Sequence, residues 1–343
     1  MRRFLNRLVG RKIVRTRQTG RKSGFVPRLE TLENRWCPSC LITTIDGGHT
    51  VKIVGDNQAN VVSIKDDAGA SDLEVKCDGM KKNFNTDDIS KIIVDLKGGD
   101  DQFTYELGGG SDFEVAKVIQ LKLGKGNDSA RFNFLDDGNG GYSMVKADLS
   151  IDVKADKGDD QVEVKLGAVD SVNVLVKAQM GKGNDRFLGY LLGDLLGTAH
   201  VSVDARGEDG NDTMSVSADF DVANNQSSLD IDAGASLDVV VDGGKGNDDL
   251  AFNYLGVLDG QLRLNLNGGK GNDEVFAQIH ALADSDGSVD AKVFGDKGND
   301  QLTLKVLEDP GSDLDILNAL LDGGKGHDTC VTTPNVTEVN CEA

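Results

Sequence analysis

The chain has 343 residues, with 43 glycines, 4 prolines, only 5% aromatic residues and a formal net charge of −20. So acidic a chain is unsuited to nucleic acid, whose phosphates repel it. No apolar run is long enough to span a bilayer as a helix, and the scarcity of aromatics argues against an aromatic-filled globular core.

Residues 1–36 hold eleven Lys or Arg against two Glu, a net of +9, which leaves −29 for the rest. Residues 1–40 read as a basic, flexible N-terminal segment, without the apolar run of an ordinary signal peptide core. Within it, LETLENR places Leu29, Glu30, Leu32, Glu33 and Arg35 in a short charged pattern. Cys37 and Cys40 follow with the spacing of a redox or half-zinc motif. No second pair completes a zinc site and no βαβ pattern surrounds it. A local disulfide, or pairing of one member with Cys77, is the expectation.

Residues 41–95 predict a first coil carrying an inserted hairpin. Val51 and Ile53 alternate up to a corner, Gly55 to Asn60, and Val62 and Ile64 alternate after it. Leu73, Val75 and Cys77 then lead to Asp78-Gly79, a strong hairpin signal, and Phe84 lies in the returning arm.

Residues 96–329 repeat one unit. It is clearest at Val239 to Tyr254, where alternating strands flank the corner Gly243-Gly244-Lys245-Gly246-Asn247-Asp248. Period-2 alternation on both sides means two half-buried strands, and the corner composition supplies positive-φ and Asx-bonded positions. The closing aspartates are Asp101, Asp128, Asp160, Asp185, Asp212, Asp248, Asp273, Asp300 and Asp328, spaced 25 to 36 residues apart. Two residues after them stand Phe103, Ala130, Val162, Phe187, Met214, Leu250, Val275, Leu302 and Cys330. Seven before them stand Val94, Leu121, Val153, Ala178, Val241, Leu266, Val293 and Leu321; at the Asp212 corner, which looks longer by Glu208-Asp209, Val203 is expected to take that place. A sustained period of this kind means a solenoid. The predicted fold is all-β, a parallel β-helix-like solenoid of about ten coils with a Gly-Asn-Asp corner in each. Two strands per coil, with room for a third short segment, stacked at about 4.8 Å, give a length of about 45–50 Å. Length varies opposite the corner while the corner itself barely changes, so the fixed edge is expected to do more than turn.

Residues 330–343 form a cap in which Cys330 and Cys341, eleven apart, read as a disulfide staple. Closing so short a loop contributes about 2–3 kcal/mol when unstrained and implies an oxidising compartment.

The corners resemble the glycine-rich calcium-binding repeats of hemolysin-type (RTX) exported proteins, Gly-Gly-x-Gly-x-Asp. Gly243 to Asp248, Gly268 to Asp273 and Gly323 to Asp328 match fully, and Gly295 to Asp300 misses only the second Gly. The resemblance implies Ca²⁺ between adjacent coils, held by the nine corner aspartates and by glycine carbonyls, a donor set calcium favours. This chain departs from the family in having one corner per roughly 27 residues rather than every nine, and in a lysine at the third position of seven corners, from Lys125 to Lys325. The alternative is therefore a metal-free structural solenoid in which a Lys column neutralises the Asp column. The LETLENR segment likewise resembles the Leu-Glu-x-Leu-Glu-x-Arg export segment of planctomycete surface proteins, implying an extracellular or cell-surface location. The expected function is non-catalytic, structural or adhesive, with a surface polysaccharide or protein as partner. A β-helix polysaccharide-active enzyme is the rival class. It needs paired acid and base groups at one coil, whereas His49, His200, His280 and His327 are scattered, and Asp136, Asp137 and Asp221 fall in variable spacers.

Overall fold

The computed structural model describes residues 39–108, 112–135, 143–219 and 228–342. The N-terminal segment up to residue 38, including Cys37 and the LETLENR stretch, lies outside the described residues, as do Asp136, Asp137 and Asp221.

The two strands of each repeat stack on their counterparts in neighbouring coils, building two twelve-stranded sheets. One contains the strands that enter the corners, such as His200–Asp209, Ser236–Lys245 and Gln261–Lys270, all parallel and in register. The other contains the strands that leave them, such as Thr213–Ala218, Asp249–Gly256 and Glu274–Ala281. This is the β-solenoid the repeat predicts. The alternating apolar columns face one another between the sheets: Val239, Val241, Leu250 and Phe252 are buried while Val240 is exposed. Near the N-terminal end the columns become aromatic, with Phe103 on Phe132 and Tyr105 on Phe134, both at 5.2 Å between centroids. A third, short ladder runs along the variable edge through Phe113, Val145, Val169, Leu195, Ile231 and Leu258.

One register expectation is corrected. Ala205, not Val203, pairs with Ala178 and Val241, and Val203 pairs one step earlier with Val176 and Val239. The Asp212 corner is not longer. Glu208 stands opposite Gly244 and Asp209 opposite Lys245. Glu208 takes the positive φ, +76°, that glycine takes elsewhere, as do Lys97, Asp156 and Asp296 in their corners. The second corner position demands that φ, which other residues adopt at some cost in strain, and it runs close to the preceding coil, a Cβ at Gly244 lying 2.4 Å from the Glu208 carbonyl. The fourth position demands glycine twice over: Gly246 has φ +136°, and a Cβ there would strike the Gly210 carbonyl of the preceding coil.

Open sheet edges invite pairing with other chains and need covering. At the N-terminal end Leu41–Ile45 adds antiparallel to Thr50–Val54, and the hairpin Asp72–Cys77 with Met80–Asn85 adds antiparallel to Val61–Asp67. A disulfide joins Cys40 to Cys77 across this cap, and Lys82 Nζ donates to the Ile42 carbonyl at 2.6 Å. At the far end Cys330 is bonded to Cys341.

Candidate functional site

The nine corner aspartates form one continuous buried column; each is no more than 2% exposed. The corner turns each side chain inward and along the stack. The Oδ1 of each accepts the backbone N–H of the Asp in the preceding coil, at 2.7–2.9 Å, from Asp101 through Asp328. The ladder starts on Asn60, whose N–H donates to Asp101 Oδ1 at 2.7 Å. With no further coil to reach, Asn60 bonds within the cap: its Oδ1 accepts from Asp56 N–H and its Nδ2 donates to Asp78.

The second oxygen, Oδ2, is buried without a hydrogen-bond partner in all nine aspartates. A buried unpartnered carboxylate oxygen is costly. That burial favours the protonated form. Burial, with neighbouring aspartates adding to it, pushes Asp160 up to about 8, Asp101 and Asp212 to about 7, and Asp185, Asp248, Asp273 and Asp300 to about 6. Asp128 is raised for the same reason, and the N–H bonds only partly oppose these shifts.

What lies beside Oδ2 differs between the two halves. In the first four aspartate corners the first position is Leu96, Leu123, Ala155 or Met180, all buried apolar side chains. From the fifth onward it is Gly207, Gly243, Gly268, Gly295 or Gly323. Where Gly243 would carry a Cβ, Asp248 Oδ2 lies 2.5 Å away and the Gly268 carbonyl oxygen of the next coil 2.7 Å away. At Gly295 the corresponding distances are 2.5 Å to Asp300 Oδ2 and 2.6 Å to the Gly323 oxygen. A carboxylate oxygen and a carbonyl oxygen thus converge on the same bare glycine face. Two acceptors so placed repel unless a cation or a proton lies with them. The aspartates do not gather in threes. Among the described residues, the one grouping of three potential ligand side chains is Cys330, Glu338 and Cys341, whose cysteines are already joined. An ion at a corner would therefore take one carboxylate oxygen per coil and complete its shell from backbone carbonyls.

The corner lysines do not reach this column. Among the described residues their ion pairs are Lys182 and Lys245 with Asp209, at 2.8 and 2.5 Å. Asp209 stands in the lysine column itself, and the two lysines hold its carboxyl down at about 2. Lys182 and Lys245 thus pair with an acid of their own column, on the outside of the corner, and among the described residues no corner lysine forms an ion pair with a buried aspartate.

A second ladder, unread in the sequence, runs beside the first in the opposite sense. From Asn127 onward, the residue before each corner Asp donates its N–H to the side-chain oxygen of its counterpart in the preceding coil, as Asn211 does to Asn184, Asn247 to Asn211 and Asn272 to Asn247, at 2.7–3.0 Å. The signal was present: Asp100, Asn127, Asp159, Asn184, Asn211, Asn247, Asn272 and Asn299 all carry that oxygen. His327 ends the series as donor to Asn299, at the last corner, where no further coil needs an acceptor.

The histidines stay apart, but the stacking brings His200 beside Ser236 and Asp238, with Nδ1 2.6 Å from Ser236 Oγ and Nε2 3.8 Å from Asp238. These residues are partly exposed on strand faces. The Ser236 N–H is spent on the Ala199 carbonyl and Asp238 is held by Arg263 at 3.0 Å, so neither an oxyanion donor nor a free orienting carboxylate is offered there.

No family model, curated protein or solved structure matches the chain. Among the described residues no helix is long and apolar enough to cross a membrane.

Proposed function

We propose that the chain is an exported, non-catalytic, calcium-binding β-solenoid serving as a structural or adhesive component of the cell surface or extracellular space. The observation that carries this reading is the column of buried, unpartnered Oδ2 atoms, which share the bare faces of Gly207, Gly243 and Gly295 with a carbonyl of the next coil. Asp212, Asp248, Asp273, Asp300 and Asp328, with the carbonyls of Gly243, Gly268 and Gly323, are the donors best suited to hold the ion. All are hard oxygens in a flexible turn, the set Ca²⁺ selects. Bound there, the ion supplies positive charge between stacked carboxylates. The residues themselves align the coils through Oδ1 whether or not it is bound. Asp101, Asp128, Asp160 and Asp185, with apolar neighbours at the first position, contribute chiefly to the ladder. The two disulfides favour an oxidising, extracellular setting, and a surface polysaccharide or protein is the class of partner proposed.

The raised aspartates favour a second reading, in which protons alone relieve the column. A melt in millimolar calcium beside one in chelator, at pH 5 and pH 8, separates the two. Calcium binding predicts a clear stabilisation at pH 8 with the metal retained on elemental analysis. Coincident curves at both pH values, with no bound metal, would leave the proton-relieved solenoid.

A further inference from the structure

Far from the corners, the N-terminal end of the solenoid buries a polar cluster that the repeat does not require. Asp66, at the end of strand Val61–Asp67, and Lys117, which opens strand Lys117–Lys125 of the third coil, are 1% and 2% exposed. Lys117 Nζ lies 3.2 Å from Asp66 Oδ2. Thr86 Oγ1 donates to Asp66 Oδ1 at 2.5 Å and the Tyr105 hydroxyl to Oδ2 at 2.5 Å; both residues are fully buried. The Phe113 ring lies 5.5 Å from Nζ. Among the described residues Asp66 is the one carboxylate within ion-pair distance of this ammonium, which has three protons to place. Burial pushes the Lys117 ammonium down, towards the neutral amine, against the pull of Asp66. Burying both charges carries a desolvation penalty that a neutral product escapes.

We propose that Lys117 and Asp66 condense to an intramolecular isopeptide bond. Nζ passes one proton to Oδ2, leaving an amine beside a carboxylic acid. The amine lone pair attacks Cγ and the Nζ–Cγ bond forms, while the negative charge developing on Oδ1 is held by the Thr86 hydroxyl. Nζ then gives up a second proton, relayed by the Tyr105 hydroxyl, to Oδ2. The Cγ–Oδ2 bond breaks and Oδ2 leaves as water. Ammonium and carboxylate become amide and water, with no oxidant or cofactor. The folded chain supplies the proximity that makes such a step intramolecular, and the low-dielectric surroundings strengthen the two hydroxyl donors. The bond would tie the first coil to the third across the variable edge, opposite the corner edge that the Asp ladder holds.

The test is the intact mass of the full chain after reduction and unfolding, followed by a tryptic map. The expected result is a mass one water below the sequence value, loss of cleavage after Lys117, and a branched peptide containing Lys117 and Asp66. Asp-Gly steps such as Asp78-Gly79 can also lose water, as a succinimide. Hydroxylamine opens that ring and leaves the isopeptide, so the measurement is made after hydroxylamine treatment. Lys117→Arg should show the full mass, and chain synthesised and kept in denaturant should show it too. Wild-type protein at full mass, with Asp66 and Lys117 in separate unmodified peptides, would overturn the proposal, and this outcome does not depend on whether Lys117→Arg folds.

Discussion

Asp248 offers the sharpest test of what the buried column does. Its Oδ1 accepts the Asp212 N–H at 2.8 Å, and its Oδ2 converges with the Gly268 carbonyl on the face of Gly243. Asp248→Asn keeps the Oδ1 acceptor and turns the orphan oxygen into an amide donor aimed at that carbonyl. At pH 8 wild-type Asp248, pushed up to about 6, is charged. In chelator the Asn variant should therefore be more stable than wild type by about 1 kcal/mol, one added hydrogen bond. Asp248→Ala instead leaves the Asp212 N–H buried without an acceptor and should cost about 1–3 kcal/mol, or several degrees in melting temperature. Calcium should then stabilise wild type more than either variant. The assay is a chemical or thermal melt of the three proteins at pH 8, with calcium and with chelator. Equal destabilisation of the Asn and Ala variants in chelator would refute the convergent-acceptor reasoning, and an undiminished calcium increment in Asp248→Asn would remove Asp248 from the ligand set.

Without calcium, stability should fall as pH rises. The column's folded values, from about 6 at Asp273 to about 8 at Asp160, lie above the unfolded carboxyl value of about 3.9. The folded state thus binds more protons through this window, and the stabilisation present below pH 4 is lost by about pH 8; a chelated protein that melts higher at pH 8 than at pH 5 would contradict it. On the proposed calcium reading the ion displaces those protons, so its increment, about 2.7 kcal/mol per site at a hundredfold excess over Kd, should be larger at pH 8, as paired melts would show. Gly271→Ala should destabilise far more than Gly269→Ala, because only the first drives a Cβ onto a carbonyl inside ordinary bond range, that of Gly246; comparable unfolding midpoints would argue against the close approach. Selective reduction of Cys330–Cys341 should loosen the last coil by about 2–3 kcal/mol, read as faster amide exchange in Thr329–Thr332 and Thr337–Val339 with central coils unchanged.

The coil, its two strands and the inward columns were legible because each apolar residue recurs at a fixed distance from its Asp. Register failed only at Ala205, where the absence of Gly-Gly in Gly207-Glu208-Asp209 looked like an insertion. Backbone φ was the missing quantity: Glu208 adopts +76° and fits a corner of ordinary length. Contacts made between coils were harder to read, because each depends on where the side-chain oxygens point. That is why the corner lysines, three residues from the aspartates in sequence, looked like their counter-ions, although the corner leaves the lysines exposed and buries the aspartates. Asp66, Thr86, Tyr105 and Lys117 recur nowhere in the repeat, so nothing periodic marks them. The ends of the two corner ladders show what the sequence can still tell once their directions are known. The Asp ladder hands acceptors back towards the N-terminus, so its first member, Asn60, needs no carboxylate. The Asn ladder hands acceptors forward, so its last member, His327, needs no side-chain oxygen. Asn60 and His327 thus stand where the departure takes no ladder acceptor from a neighbouring coil, whereas Ala59, with no side-chain oxygen, offers none to Asp100. The carboxylates between those ends exceed what the ladder requires, since an Asn at every corner would serve Oδ1 equally well. Retaining nine buried acids with nine orphan oxygens is a standing cost to the apo fold, and the coils whose first position is glycine are those where a bound cation would turn that cost into adhesion between neighbouring coils.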